Sequence, residues 1–407
     1  MPASAIKTKC VIAGGGPAGM MLGFLLARAG VDVVVLEKHA DFFRDFRGDT
    51  IHPSTLQLMH ELGLLDDFLT RKHNTIEVIK AQIGDTLLTI ADMRHLPAVC
   101  KYVALMPQWD FLNFLAEHGK RYPSFRLMLE SSVEGLIVED GSVRGARITT
   151  AGGPREIRAD LVIGADGRSS TVRAVAGLAV RDIGAPMDVL WMRVSRQAGD
   201  PAQLLGRIDF GEMLVMLDRD DYWQCAFVIP KGAFSEIQAR GIATFRARLL
   251  ALVPWLGTRA DELRTWDDIK LLTVTVDRLT TWYKPGLLCI GDAAHAMSPI
   301  GGVGINLAVQ DAVATANLLY PAFTRGVPAV ADLQAVQRRR TFPMAVIQAG
   351  QVFIQNQAIT RVFASTGKMK PPAIMRAIAA IPWLRRIPAY ILGVGVRPEH
   401  IHTPERL

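Results

Sequence analysis

The stretch CVIAGGGPAGMMLGFLLARAG, Cys10 to Gly30, decides between two kinds of molecule. Lys7 and Lys9 precede it and Ala27-Arg-Ala29 closes it, so its hydropathy alone resembles a signal peptide or membrane anchor. Its glycines argue otherwise. A secretory segment needs an unbroken apolar run. Here Gly14, Gly15, Gly16, Pro17 and Gly19 interrupt it, and the β-branched run Val31–Leu36 follows, ending in Glu37. The order is a strand (Cys10–Ala13), a glycine turn, a helix (about Ala18–Arg28), Gly30 as its C-terminal cap, and a second strand. That is one βαβ unit.

Gly14-x-Gly16-x-x-Gly19 lies at the first turn of that unit. The first glycine permits the tight turn, the second lets backbone N–H groups approach a pyrophosphate, and the third lets the helix pack close to the strand. The helix start, with Pro17 and Ala18, offers unpaired N–H groups and positive dipole to phosphate. Glu37 falls 18 residues after Gly19, where a carboxylate accepts hydrogen bonds from a ribose diol. The unit is therefore read as Rossmann-like and dinucleotide-binding; the bland alternative is a tight turn that binds nothing.

Composition agrees with a large folded chain. Half of the 407 residues are hydrophobic and 21% are charged, enough apolar surface for roughly two domains or one fold with insertions. The net charge of +7 mildly favours anionic partners such as phosphates or an acidic membrane surface. The cations are scattered, so nucleic acid is not an expected partner. The densest run, Arg338-Arg339-Arg340, is expected to be a solvated helix face. Cys10, Cys100, Cys225 and Cys289 are far apart, without metal-ligand spacing. Cys10 and Cys289 are read as buried strand thiols, no metal is expected, and the cytoplasm, a reducing compartment, is the expected home.

Two further stretches share the strand-then-bend design. Ala159–Arg173 contains a buried strand (Leu161–Gly164), an Asp166-Gly167 turn and a helix starting near Ser169 or Ser170. Gly286–Asp311 contains a strand (Leu287–Ile290), Gly291-Asp292, a loop with Pro299 and glycines 301, 302 and 304, and a helix from about Ile305. Asp292 can accept a hydrogen bond from a polyol. The glycine loop lets amides at a helix start (Gly304, Ile305, Asn306) face an electron-rich ring edge.

In this order and at these distances the three stretches resemble the single-component flavoprotein aromatic hydroxylases, the group of p-hydroxybenzoate hydroxylase. The resemblance covers residues 8–180 and 275–325. It implies an FAD fingerprint at the first motif, FAD and NAD(P)H contacts at Asp166, a ribitol contact at Asp292, and an isoalloxazine bordered by Pro299, Gly301 and Gly302, where oxygen is activated. It also implies that Arg47, in Phe46-Arg-Gly-Asp-Thr-Ile-His52, sits beside the flavin pyrophosphate, where a guanidinium offsets charge. Gln108 would reach the ribitol, with Asp110 as a competing helix cap. Lys38 and Val133 complete the implied cofactor contacts.

Between the second and third motifs the texture changes. Val189–Ser195, Met213–Leu217, Asp221–Ile229 and Leu271–Val276 read as strands, several apolar on alternate residues. The resemblance implies a sheet that roofs the flavin and forms the substrate pocket, joined by Ile76–Ile90. Trp191, Arg193, Tyr222, Trp223 and Gln224 are the pocket candidates, against the plain reading of aromatics as core. His52, His73 and His295 could be acid–base groups; His52 is the preferred one and His295 the more structural. The fold expected is α/β: a Rossmann-like FAD domain (1–75, 97–180 and 275–330), an inserted mixed β-sheet substrate domain (76–96 and 181–274), and a helical C-terminal segment (331–407). Arginines and prolines interrupt that last segment too often for a bilayer span. It could rest weakly on a membrane surface, pack on the FAD domain, or meet a second subunit in a homodimer.

The implied chemistry is an FAD-dependent, NAD(P)H-consuming monooxygenase that uses O2 to hydroxylate an aromatic or similar electron-rich small molecule through a flavin C4a-hydroperoxide. The cofactor carries the hard step, consistent with a sequence showing no catalytic triad. A flavin reductase of the geranylgeranyl reductase type is the first rival. A flavin halogenase is weaker, since its W-x-W-x-I-P pattern is missing. A non-enzymatic binding protein like the Rab GDP-dissociation inhibitors is a rival of another class.

Overall fold

The computed structural model describes residues 6–43, 50–201 and 206–406. The opening stretch folds as its punctuation dictates. The strand Ile6–Ala13 enters the glycine turn, the helix Pro17–Arg28 follows with Pro17 at its first position, and the strand Val33–Leu36 returns parallel to the first. Gly30 has φ +77°, the left-handed conformation that ends a helix.

The main sheet has the order Tyr283–Lys284, Leu287–Cys289, Gly153–Gly164, Ile6–Ala13, Val33–Leu36, Phe125–Met128, with the antiparallel strands Ser131–Glu139 and Ser142–Thr150 branching from Gly153–Gly164. Strands Leu287–Cys289, Gly153–Gly164, Ile6–Ala13, Val33–Leu36 and Phe125–Met128 run parallel. Except in the outer strand Phe125–Met128, their apolar runs are buried on both faces. On one face the glycine-turn helix packs against the helices Gln108–Gly119 and Gly304–Arg325.

The second sheet has seven strands in the order Lys270–Leu272, Met187–Ser195, Tyr222–Pro230, Glu212–Asp218, Gly206–Asp209, Val78–Ile83, Thr86–Asp92. The early hairpin joins it through a parallel pairing of Val78–Ile83 with Gly206–Asp209. Ile76 instead belongs to a small three-stranded sheet with Thr50–Ile51 and Val103–Leu105. One face of the seven-stranded sheet is covered by the helices Phe234–Ala239 and Ile242–Leu252, forming a core of its own around Trp223, Phe227 and Phe245. The strand expected over 271–276 stops at Leu272. Beyond it side chains take over the ladder's role: the Val274 N–H donates to the buried Asp188 carboxylate at 2.9 Å, and Lys231 Nζ donates to the Val274 carbonyl at 2.6 Å.

The C-terminal segment is helical: Val330–Ile354, a π-helical turn Gln355–Ile359, then Thr360–Phe363, Ala373–Ala380 and Arg386–Gly393. The last residues return to the first helix, where the Arg406 N–H donates to the Arg28 carbonyl at 2.8 Å and Arg28 donates to the Thr403 carbonyl at 3.0 Å. The expected solvated run at Arg338–Arg340 needs correction. Arg340 is 1% exposed, and it and Arg339 reach inward to Glu399. A buried carboxylate needs a cation more than the surface needs a charge.

Candidate active site

The three bends converge because the three strands that feed them are neighbours. Ala13 is level with Gly164, and Gly164 with Cys289, so each motif leaves the sheet at the same edge. Crevices at the carboxyl ends of parallel strands are where open α/β sheets bind ligands. The contacts within and between the motifs are tight. A Cβ on Gly14, whose φ is +106°, would lie 2.3 Å from the Ala165 carbonyl oxygen. One on Gly19 would lie 1.9 Å from the Gly14 oxygen, and one on Gly291 would lie 3.1 Å from Ala18 Cβ. Arg168 Nε reaches Asp292 Oδ2 at 3.4 Å, tying the second bend to the third.

Gly16 is different. A Cβ there would meet nothing within 4 Å. Its open side faces away from the packed bends, and the helix amides that follow have no intrahelical partners. Glu37 is 9% exposed and closes the far end of the turn: Oε2 accepts the Gly15 N–H at 3.2 Å and Oε1 the His39 N–H at 3.0 Å. Lys38, beside it, is exposed. Asp166 accepts the Ser170 hydroxyl at 2.5 Å and the Val172 N–H at 3.0 Å, so it organises the short helix Thr171–Val175 as well as the groove. Asp292 stays one-third exposed. Gln108 is the first residue of its helix, Asp110 stands in the first turn rather than at the cap, and Val133 is half-buried in the strand Ser131–Glu139. Arg47 lies outside the described residues.

The loop after the third bend is shaped by close approaches. Gly301 and Gly302 have φ of +77° and +62°. A Cβ on Gly302 would lie 2.5 Å from Thr50 Oγ1, whose hydroxyl donates to the Gly302 carbonyl at 2.9 Å. Pro299 precedes this turn and Ile300 packs against the second sheet. Gly304 begins the long helix, and a Cβ there would also meet open space. Ile305 is in the core; the Asn306 side chain is occupied, accepting the His52 N–H at 3.0 Å and the Thr55 hydroxyl at 2.7 Å. What residues 304–306 offer the groove is their backbone.

His52 is held rather than poised. Its ring is buried, burial lowers its pKa, and Nδ1 lies 2.6 Å from the Leu392 carbonyl, which fixes the proton on Nδ1 of a neutral ring. His73 Nδ1 lies 2.7 Å from the Arg71 carbonyl. His295 is buried, with Nε2 2.6 Å from Asp311 Oδ2.

The pocket candidates divide by strand parity. Cross-strand pairs put Trp191 opposite Ala226, Arg193 opposite Gln224 and Val215 opposite Ala226, all on the sheet face that meets Ile300. Arg193 lies 4.9 Å over the Tyr222 ring on that face. Trp223 has the other parity. It is fully buried under the helices, 5.8 Å from Trp255, and its Nε1 donates to Asp200 at 2.7 Å. It belongs to the outer core and leaves the candidate set.

Sequence reasoning passed over two features. Arg219 sits in Asp218-Arg-Asp-Asp221, which looks like a solvated hairpin, yet it is 7% exposed and donates from Nε to Gln224 Oε1 at 3.3 Å. The signal was the alternation that puts 213, 215 and 217 on the inner face and carries to 219. The second is Asp311, fully buried beneath the third bend. It accepts the Gly291 N–H at 3.0 Å, His295, and Arg340 Nε at 2.8 Å.

A family model described as FAD binding domain matches residues 7–349. The chain belongs to that family. It is 32% identical over 391 residues, 96% of this chain and 91% of the relative, to 6-methylpretetramide 4-monooxygenase of Streptomyces rimosus. It is 27% identical to 6-hydroxy-3-succinoylpyridine 3-monooxygenase of Pseudomonas putida, over 83% of this chain and 86% of that one. Its fold is shared with p-nitrophenol 4-monooxygenase of Pseudomonas putida, with a TM-score of 0.76 and 22% identity over 96% of this chain and 100% of the other. These relatives favour a flavoprotein monooxygenase over the reductase, halogenase and non-enzymatic readings.

The residues present fit FAD. The open side of Gly16 and the bare helix start suit a pyrophosphate, Glu37 suits a ribose diol, and Asp292 suits a polyol chain. Asp292→Ala is expected to weaken FAD binding about tenfold, the value of one charged hydrogen bond. Without flavin it should lose no more than about 1 kcal/mol of stability, the value of its exposed pair with Arg168. Titration of apoprotein with FAD, followed by flavin fluorescence, measures the first quantity and calorimetry the second.

Proposed function

We propose that this member of the family is an FAD- and NAD(P)H-dependent monooxygenase that inserts one oxygen atom from O2 into a phenolic, fused-ring aromatic substrate. One observation carries the reading: three bends level with one another at the edge of the main sheet, with the glycine loop of the third packed against the inner face of a second sheet. Bound FAD, reduced by NAD(P)H, would supply the activated oxygen. The chain's own residues bind, orient and exclude water. Gly14–Gly19, Glu37, Asp166 and Asp292 hold the cofactor. Pro299, Gly301 and Gly302 border its ring. Trp191 gives the second sheet an aromatic surface for a flat substrate. Arg193, Tyr222, Gln224 and the buried Arg219 form a polar end suited to a substrate oxygen. The fused-ring class is supported by the relative named for 6-methylpretetramide and by the apolar inner face, where Met187, Val189 and Val228 are buried.

The test is turnover of fused-ring phenols with NADPH or NADH under 18O2. One labelled oxygen per product, with NAD(P)H oxidation accelerated by substrate, is expected. Unlabelled product, or NAD(P)H oxidation that yields only H2O2 for every phenol offered, would remove the proposal. A reductase would consume NAD(P)H and leave no label in product.

Two partner readings, a second copy and a membrane surface, both fall on the C-terminal segment. Among the described residues no helix is long and apolar enough to cross a bilayer.

A further inference from the structure

We propose that the C-terminal helices form a docking face for the surface of an anionic lipid bilayer. The residues from Leu333 to Pro398 include ten Lys and Arg and no Asp or Glu; Arg339 and Arg340 are paired with Glu399 and Lys368 with Asp85, which leaves seven. Within them the helix Ala373–Ala380 buries none of its residues. The helix Arg386–Gly393 buries Ala389 and Gly393, which leaves Ile387, Tyr390 and Ile391 on the opposite side at spacings of three and four, 50%, 45% and 42% exposed. Trp383, in the link between the two helices, is 61% exposed and Ile374 is 70% exposed. Exposed apolar groups gathered in one segment mark an interaction site rather than ordinary surface.

The chemistry of the surroundings selects the occupant. Arg376 and Arg386 are exposed beside these side chains. A second copy meeting this face by two-fold symmetry would set arginine against arginine. An interface rich in anionic headgroups takes both components: cations at the phosphates, and Trp, Tyr and Ile at the boundary with the acyl chains.

A separate feature points the same way. A cavity of about 310 Å³ opens beside the face, lined by Glu77, Val78, Lys80, Thr89, Arg94 and Arg385. Arg385 immediately precedes the helix that carries Ile387 and Ile391. One of its terminal nitrogens donates to the Ala379 carbonyl, while its buried Nε has no partner. Two acids moderate the site: Glu77 in the wall, and Asp92, which holds Arg94 at 2.7 and 2.9 Å. Three cations against two carboxylates leave room for one phosphate-sized negative charge. Docking would lay the apolar ridge in the boundary and bring a headgroup to this cavity.

The experiment is co-sedimentation of the FAD-loaded protein with vesicles of phosphatidylcholine alone and with phosphatidylglycerol added. Binding is expected only with phosphatidylglycerol, and it should fall as salt rises from about 0.05 M to 0.5 M, where the Debye length shrinks from roughly 14 to 4 Å. Arg385→Gln with Arg386→Gln should lower partitioning at low salt about 25-fold, each arginine contributing about fivefold. Trp383→Ala with Ile387→Ala should lower it at low and high salt alike. Bound-flavin absorbance confirms that each variant is folded. Equal recovery in the supernatant with both vesicle types at low salt would overturn the proposal. So would a dimer in sedimentation velocity that Trp383→Ala dissolves without any vesicle binding, and so would binding of soluble glycerol phosphate without vesicle binding. No turnover is needed, so failure here leaves the monooxygenase reading untouched.

Discussion

A Gly16→Val chain is expected to fold normally and to purify without colour. Its glycine neighbours do not share that outcome, and the contrast is the informative part. Gly14 and Gly19 are pressed against backbone: a Cβ on either would fall within 2.3 Å of a carbonyl oxygen. Substitution there breaks the turn itself. Gly16 has φ −75° and ψ −176°, an extended conformation that a β-branched residue adopts readily, and its side-chain direction is open. The cost to the empty protein is that of a poorer helix cap, about 1 kcal/mol. With ligand the position changes character, because three carbon atoms would occupy the space through which backbone amides approach the pyrophosphate. Overpacking costs about 1–3 kcal/mol and a lost charged hydrogen bond about 1.5–3 kcal/mol. Together these predict an FAD affinity lower by at least about 100-fold. Fluorescence titration measures it, and circular dichroism of apoprotein tests the claim of an intact fold. A yellow Gly16→Val protein would show that the pyrophosphate does not pass this glycine.

The largest stability effect is expected at Asp311. Its carboxylate is fully buried and serves three donors: the Gly291 N–H of the third bend, His295, and Arg340 from the C-terminal helix. Removing one partner of a buried charge cluster strands the others. Asp311→Ala would leave the Arg340 guanidinium with Glu399 alone and the Gly291 N–H without its acceptor. The expected loss is about 3–5 kcal/mol. At ~2.1 cal/mol/K per residue this lowers Tm by about 4–6 °C in calorimetry. Asp311→Asn, which keeps an acceptor for Gly291, should lose less. Burial pushes the Asp311 carboxyl up, but His295 and Arg340 beside it override this and hold its pKa below the ordinary carboxylate range. Its contribution is therefore present above about pH 4, the unfolded value, and is lost as pH falls through the lower folded value. The parent should lose stability with acid more steeply than Asp311→Ala does. Equal slopes would mean that the folded protein does not hold the Asp311 pKa below its unfolded value.

Much of the groove between the three bends was legible because each bend is a local event. A strand ending in glycine, a turn and a capped helix are spelled within about 20 residues, and the common edge follows from parallel pairing. The alternation of the second sheet was equally plain. Which face meets the loop of Pro299 to Gly304 was not, since parity alone does not say which side a helix will cover; Trp223 was misplaced for that reason. Arg340 and Arg219 were hidden by their surroundings, one in a basic run and one between aspartates. Their burial is decided by partners elsewhere in the fold: Asp311 and Glu399 for the first, the inner face of the sheet for the second. The strand that fails after Leu272 has the same origin, in Asp188 and Lys231.

The level edge shared by Ala13, Gly164 and Cys289 also orders events during synthesis. The groove's walls are made by residues 6–37, 159–173 and 287–306, and its underside is braced by Arg340. A ribosome delivers about 5–20 residues each second, so the first glycine turn waits many seconds for its neighbours. Closing the groove is therefore a late event, and until then the helix Pro17–Arg28 has Gln108–Gly119 beside it but lacks its other neighbour, Gly304–Arg325.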